Sequence, residues 1–139
     1  VKDGAKLITG GERDKTIIKP AIVCEVDPNS AFAQDELFGP AIAVSSARGI
    51  KAAIGQANNT VYGLGAGVFT AGVDVAIQAA REIDAGIIHI NWTPLWRADL
   101  MPYGGLKSSG IGKEGVRSTV NEMTEEKTII LHGKSWNEK

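Results

Sequence analysis

The chain has 139 residues, of which 43% are hydrophobic and 22% charged, with a formal net charge of −1. That is enough for one domain with a packed core and too little for two large ones. The balanced charge leaves no electrostatic footprint for nucleic acid or an anionic membrane surface. No apolar run approaches the ~18 residues of a membrane span, and no basic-then-apolar leader opens the chain. A single cysteine, Cys24, cannot form an internal disulfide, so nothing points to an oxidising compartment and the sequence reads as cytoplasmic. Starting at Val1 rather than Met points to a piece of a longer protein or to a processed product.

"AKLITGG" and "TIIKPAIVCEV" are rich in β-branched and apolar residues and read as strands, with Gly10-Gly11 as the turn between them. Cys24 lies in the second and reads as a buried structural thiol. "AIAVSSA" is a further short strand. From Ile50 the period changes: Ile50, Ala53, Ile54 and Ala57 share one helical face, and Asn58 and Asn59 stop that helix because Asn tolerates left-handed geometry. "GLGAGVFT" reads as a strand. A helix with Val73, Ala76, Ile77 and Ala80 inward follows, ended by Asp84-Ala85-Gly86, and "GIIHIN" is a buried strand. This strand–helix alternation is the signature of parallel α/β winding.

After Asn91, the stretch "WTPLWRADLMPYGGLKSSG" is too rich in Gly, Pro and polar residues for regular structure. Its aromatic and aliphatic residues argue against disorder, so it reads as a functional loop. A last helix from near Lys113 places Val116, Val120 and Met123 on one face. "KTIILHG" reads as a closing strand with a polar tail behind it.

No phosphate-cradling glycine motif follows a strand; Gly110-Ile111-Gly112 sits in a loop and fails the remaining dinucleotide spacing. His89 and His132 lie in apolar strands at no metal-ligand spacing, so no metal site is expected. Two segments are left. In "DELFGP", residues 35–40, Gly39-Pro40 fixes the chain direction. A carboxylate and a ring held there suit a ribose-hydroxyl acceptor and a stacking wall, or simply a capped turn with a core Phe. In the loop, amphipathic aromatics suit a pocket wall. Arg97 among them suits bidentate pairing with an anion or plain solvation on the surface.

The segments "DELFGPAIAV", "ANNTVYGLGAGVFT", "AGIIHIN" and "MPYGGLKSSGIGKEG", the last followed by "EMTEEKTI", occur in this order. In this order and spacing they resemble the C-terminal part of the NAD(P)-dependent aldehyde dehydrogenase superfamily, from about Gly4 to Gly133. The resemblance implies an α/β fold: a parallel-sheet, three-layer portion of the catalytic domain over residues 1–124. An oligomerisation strand over 125–133 and a polar tail over 134–139 complete it. Glu36 matches the glutamate that accepts hydrogen bonds from the nicotinamide ribose of NAD or NADP, and Phe38 the aromatic beside the nicotinamide ring. Trp92, Leu95, Trp96 and Arg97, with Tyr103, match the lining of the aldehyde entrance, Tyr103 standing where Phe is commoner. Asn91 closes the strand that feeds this loop.

The family oxidises an aldehyde to a carboxylic acid through a cysteine thiohemiacetal and thioester, with hydride passing to the nicotinamide. By the resemblance, that cysteine and the general-base glutamate lie upstream of this chain, and Cys24 is not the nucleophile. No catalytic residue is therefore expected here, and the chain by itself is expected to be inactive. Its implied partners are an aldehyde, the missing N-terminal part of the same protein and further copies in a homodimer or homotetramer. Arg97 suggests a small polar or anionic aldehyde. The rival reading is a non-catalytic association or scaffolding module that retains the fold.

Overall fold

The computed structural model of the chain describes residues 4–133. The chain opens with β1 (Lys6–Thr9), and a short hairpin, β2 (Arg13–Asp14) and β3 (Ile17–Ile18), precedes β4 (Ala21–Cys24). The long strand expected from "TIIKPAIVCEV" is thus two strands. Pro20 cannot donate to a ladder, and the two pieces pair with different partners: β3 with β2, β4 with β1 and β5. Gly10 makes the crossing possible. Its φ is +74°, and a Cβ there would overlap the Pro20 carbonyl oxygen. At the other end of this pairing Lys6 Nζ donates to Glu25 Oε1 at 2.7 Å. That hydrogen bond holds the Lys6 pKa above its ordinary 10.5.

A single helical turn not foreseen from periodicity, α1 (Ala31–Gln34), leads to β5 (Ala41–Val44), which runs parallel to β4 with Ala21 opposite Ala41 and Cys24 opposite Val44. The first sheet therefore has the order β1-β4-β5, antiparallel then parallel. Ala21 and Val23, two apart on β4, are buried, as the period of a strand requires. Cys24 at its end is half-buried and free.

The helix α2 (Ile50–Asn58) buries Ile54, the centre of the apolar face read from the sequence. Its end has a different cause from the one expected. Neither Asn58 nor Asn59 has a left-handed backbone. Instead the Asn58 amide donates to Glu82 O at 2.7 Å and accepts from Asp84 N–H at 2.8 Å, capping a neighbouring helix end. The strands β6 (Tyr62–Gly63) and β7 (Gly65–Val68), the helix α3 (Val73–Glu82) and β8 (Ile87–Ile90) follow. β7 and β8 are parallel, from Gly65 opposite Ile87 to Val68 opposite Ile90, as the strand–helix–strand pattern requires. Ala79 on α3 and Ile87 on β8 are buried, whereas Val73, Ile77 and Ala80, expected to face inward, are exposed, so the helix turns a face centred on Ala79 to its neighbours. α3 packs on both α2 and β8.

The stretch after β8 contains one short strand, β9 (Leu106–Lys107), antiparallel to β6. Lys107 Nζ reaches the carbonyls of Asn58 and Thr60 at 2.9 and 3.2 Å, a cation at the C-terminus of α2, where the helix dipole favours it. The last helix, α4 (Val116–Glu122), begins after Gly115 rather than at Lys113, because the Lys113 N–H is taken by Glu122 Oε1 and Glu114 pairs with Tyr103.

Residues 125–133, expected to hold a strand, form no ladder among the described residues, since a strand needs a partner to satisfy its backbone and none lies alongside. Ile129, Ile130 and Leu131 are exposed there, and Phe38, Leu95, Leu100 and Ile111 are exposed elsewhere. Exposed apolar surface of this extent is unusual for a lone soluble domain. No helix among the described residues is long and apolar enough to cross a membrane. The polar tail, 134–139, lies outside the described residues.

Candidate functional site

The loop after β8 is anchored at both ends. At its start Asn91 adopts φ +56°, a backbone that Asn tolerates better than most residues. Its N–H continues the ladder to Val68 O at 2.7 Å, and its side-chain oxygen accepts the Thr70 N–H at 2.8 Å. At the far end Tyr103 and Glu114 exchange backbone hydrogen bonds of 3.1 and 2.6 Å. Lys113 Nζ holds the Gly104 carbonyl at 2.7 Å, and Ser109 Oγ accepts the Gly63 N–H at 2.9 Å. The loop thus closes over the start of β7 without regular structure of its own.

Between these anchors lies a cavity of about 380 Å³, lined by Leu64, Gly65, Pro94, Leu95, Trp96, Arg97 and Tyr103. Its wall is largely apolar, with one permanent cation. Arg97 stacks on Tyr103, its Cζ 4.4 Å from the ring centroid, a cation–π contact worth about 0.5–1 kcal/mol where solvent reaches it. Its Nη1 stands 3.7 Å from Glu114 Oε2, with both side chains well exposed, so that ion pair contributes less than about 1 kcal/mol. Stacking holds the guanidinium over the ring, and apart from Glu114 no anionic partner reaches it among the described residues. The ring of His89 on β8 meets Trp96 edge-on, with centroids 6.1 Å apart, and its buried Nε2 has no partner among the described residues.

Of the side chains singled out from the sequence, Leu95, Trp96, Arg97 and Tyr103 converge on this cavity. Trp92 does not line it; this side chain is exposed at the start of the loop. Glu36 borders a second cavity of about 360 Å³, with Tyr62, Leu64, Ser108 and Ser109. Phe38, two residues on, is 93% exposed. Leu64 belongs to both cavities and also to a third of about 260 Å³, which Tyr103, Ser109 and Glu122 border.

Three contributors were not found by reading the sequence. Leu64 sat inside a strand-like run with nothing to distinguish it from a core residue. Glu114 became the partner of Arg97 only through the Tyr103 pairing, and Ser109 reached Gly63 only because β6 and β9 meet. None of these pairings leaves a local trace in composition or period.

Known proteins resemble this chain in sequence and fold. The chain is 41% identical over 132 residues to a lactaldehyde dehydrogenase of Methanococcus maripaludis, covering 95% of the chain and 28% of the relative. It is 42% identical over 132 residues to a 3-sulfolactaldehyde dehydrogenase of Priestia megaterium, with the same coverage. A crystal structure of glyceraldehyde-3-phosphate dehydrogenase from Methanocaldococcus jannaschii complexed with NADP superposes with a TM-score of 0.84 at 38% identity, over 94% of this chain and 28% of that one. The chain therefore spans a little over a quarter of the length of these proteins. The profile of the aldehyde dehydrogenase family matches residues 1–129. Sequence and fold agree over nearly the whole chain, and it belongs to the aldehyde dehydrogenase family.

Proposed function

We propose that this chain is the C-terminal portion of the catalytic domain of an NAD(P)-dependent aldehyde dehydrogenase that oxidises a small, polar or anionic aldehyde to its carboxylic acid. The observation that carries the proposal is the convergence of Leu95, Trp96, Arg97 and Tyr103 on one cavity that shares the Leu64 wall with the cavity of Glu36. The division at residue 124 and the role of 125–133 as an oligomerisation strand belong to the same proposal. The exposed Ile129, Ile130 and Leu131 and their unpaired backbone support the second.

The Glu36 cavity suits the nicotinamide end of NAD or NADP. Glu36 borders it with Ser108, Ser109, Tyr62 and Leu64, residue types that supply the donors and acceptors ribose hydroxyls need beside apolar surface. Phe38, two residues on, has its ring open to solvent and free to take up a flat apolar group. The dinucleotide, when bound, accepts the hydride from the reacting carbon. Glu36 and Phe38 fix only where that end of the molecule lies. The residues choosing NAD over NADP are outside this chain.

On the aldehyde side, Leu95, Trp96 and Leu64 offer apolar surface to the carbon chain, and Arg97 holds a distal anion at the mouth. Two of the relatives are named for anionic aldehydes, 3-sulfolactaldehyde and glyceraldehyde 3-phosphate, and this supports the role given to Arg97. The nucleophilic cysteine and the general base come from the rest of the protein, so the chain contributes binding and orientation, and catalysis by it alone is not expected. Assay of the complete protein that contains this chain, with NAD⁺ and NADP⁺ and a panel of short aldehydes, tests the reading. Reduction of the nicotinamide with anionic or hydroxylated aldehydes is expected. Its absence with every aldehyde, in a folded protein, would leave the scaffolding alternative standing instead.

A further inference from the structure

β7 has a bare face, and the loop that forms the pocket lies on it. Gly65 and Gly67, two apart on the strand, project no side chain from the same side. A Cβ on Gly67 would stand 2.7 Å from the Trp92 carbonyl oxygen and 3.1 Å from Pro94 Cδ, and one on Gly65 would stand 3.3 Å from Pro94 Cβ. Neither glycine has a positive φ, so the loop, not backbone strain, excludes a side chain at these positions.

Asn91 is the other half of the seat. Its left-handed backbone turns the chain out of β8, and its amide oxygen binds the N–H of Thr70, just beyond β7. The first residue of the loop is thereby tied to the strand on which the loop rests. Gly65 and Pro94 both border the 380 Å³ cavity. The height at which residues 92–94 sit on β7 therefore sets the gap between Leu64 and the Leu95–Arg97 wall.

We propose that Gly67 and Asn91 are positioning residues that set the width of the aldehyde pocket and with it the length of aldehyde accepted. This rests on the reading of that cavity as the aldehyde site. A methyl group on Gly67 meets backbone rather than a flexible side-chain end, so the loop must lift. Loss of the Asn91 amide frees its hinge.

The test uses the complete protein with Gly67→Ala, Asn91→Ala and Asn91→Gly. The last removes the hydrogen bond without the left-handed strain that Ala would add, at the cost of a freer backbone. Two ω-oxo carboxylates, 4-oxobutanoate and 6-oxohexanoate, serve as short and long substrates of equal charge. The ratio of kcat/KM for the long over the short substrate is expected to rise about tenfold in Gly67→Ala and Asn91→Ala, within what a shift of an ångström costs in orientation. Asn91→Gly should fall between these and the wild type. Hydrogen–deuterium exchange over residues 92–97, referenced to residues 6–24, reads the seat independently of turnover and should quicken in the same order. Unchanged exchange in Gly67→Ala and Asn91→Ala overturns the proposal, and so does faster exchange with an unchanged substrate ratio. Should Gly67→Ala fail to fold, the two Asn91 variants decide it alone. If the wild-type protein oxidises no aldehyde, the functional reading falls, and with it the claim about aldehyde length, while the exchange data still decide whether the two residues seat the loop.

Discussion

The guanidinium of Arg97 rests on the ring of Tyr103, 4.4 Å from Cζ to centroid, while Glu114 stands 3.7 Å from its Nη1. Stacking fixes the plane of the guanidinium, and the long, exposed ion pair leaves it open to a better anion. In the complete protein Arg97→Ala should raise KM for an anionic aldehyde about 10- to 100-fold, the worth of a hydrogen bond to a charged group. KM for a neutral aldehyde of equal length should change much less. Equal effects on the two would remove Arg97 from the substrate site. Glu114→Gln removes the competing carboxylate and should lower KM for the anionic aldehyde alone.

A second expectation concerns the cofactor. Glu36→Gln keeps the size of the side chain and halves its capacity to accept hydrogen bonds. Steady-state kinetics should show KM for the dinucleotide rising about tenfold, equally for NAD⁺ and NADP⁺, because Glu36 is assigned to the end that the two share. A change confined to one of them would contradict that assignment.

The Asn58 amide is predicted to be a structural link. It bridges the carbonyl of Glu82 and the N–H of Asp84, so its removal leaves both without their partner. Asn58→Ala should destabilise the protein by about 1–3 kcal/mol in urea unfolding. Asn58→Asp keeps the acceptor for Asp84 but sets a carboxylate oxygen against the Glu82 carbonyl at the C-terminal end of α3, so it should cost at least as much as Asn58→Ala. An Asn58→Ala protein as stable as the wild type would mean that water replaces both bonds freely.

Residues 125–133 give the fourth. If they pair with another copy, a charge at Ile130 places an unpaired ammonium in that contact. Ile130→Lys should reduce the assembly by at least one halving step in sedimentation velocity and leave the melting of the separated subunit little changed. An unaltered sedimentation coefficient would assign this segment to something other than assembly.

How much of this was legible in the sequence follows from the range of the interactions involved. The face of α2 around Ile54 and the succession β7, α3, β8 arise from local period, and the spacing of apolar residues along the chain displays them. The hairpin β2–β3, the pairing of β6 with β9 and the short turn α1 depend on which partner the chain meets, and no window of residues holds that information. The closing strand shows the converse case. "KTIILHG" has strand composition, yet propensity without a partner forms no ladder. At the site, resemblance picked out Trp92, Leu95, Trp96, Arg97 and Tyr103, of which the fold brings together all but Trp92. Leu64 and Glu114, which complete the wall and the charge balance, became visible only once the loop was seen to close on β7.

Leu64 forms part of the wall of three cavities at once. A mutation that trims or enlarges it cannot be felt by one ligand alone. If these are the substrate and cofactor chambers proposed above, any lineage that widens the first here for a bulkier substrate also disturbs the second, and must compensate there. Substrate range would then diversify more readily through the loop residues 94–97, which touch a single chamber, than through this shared partition, where the two requirements hold each other in check.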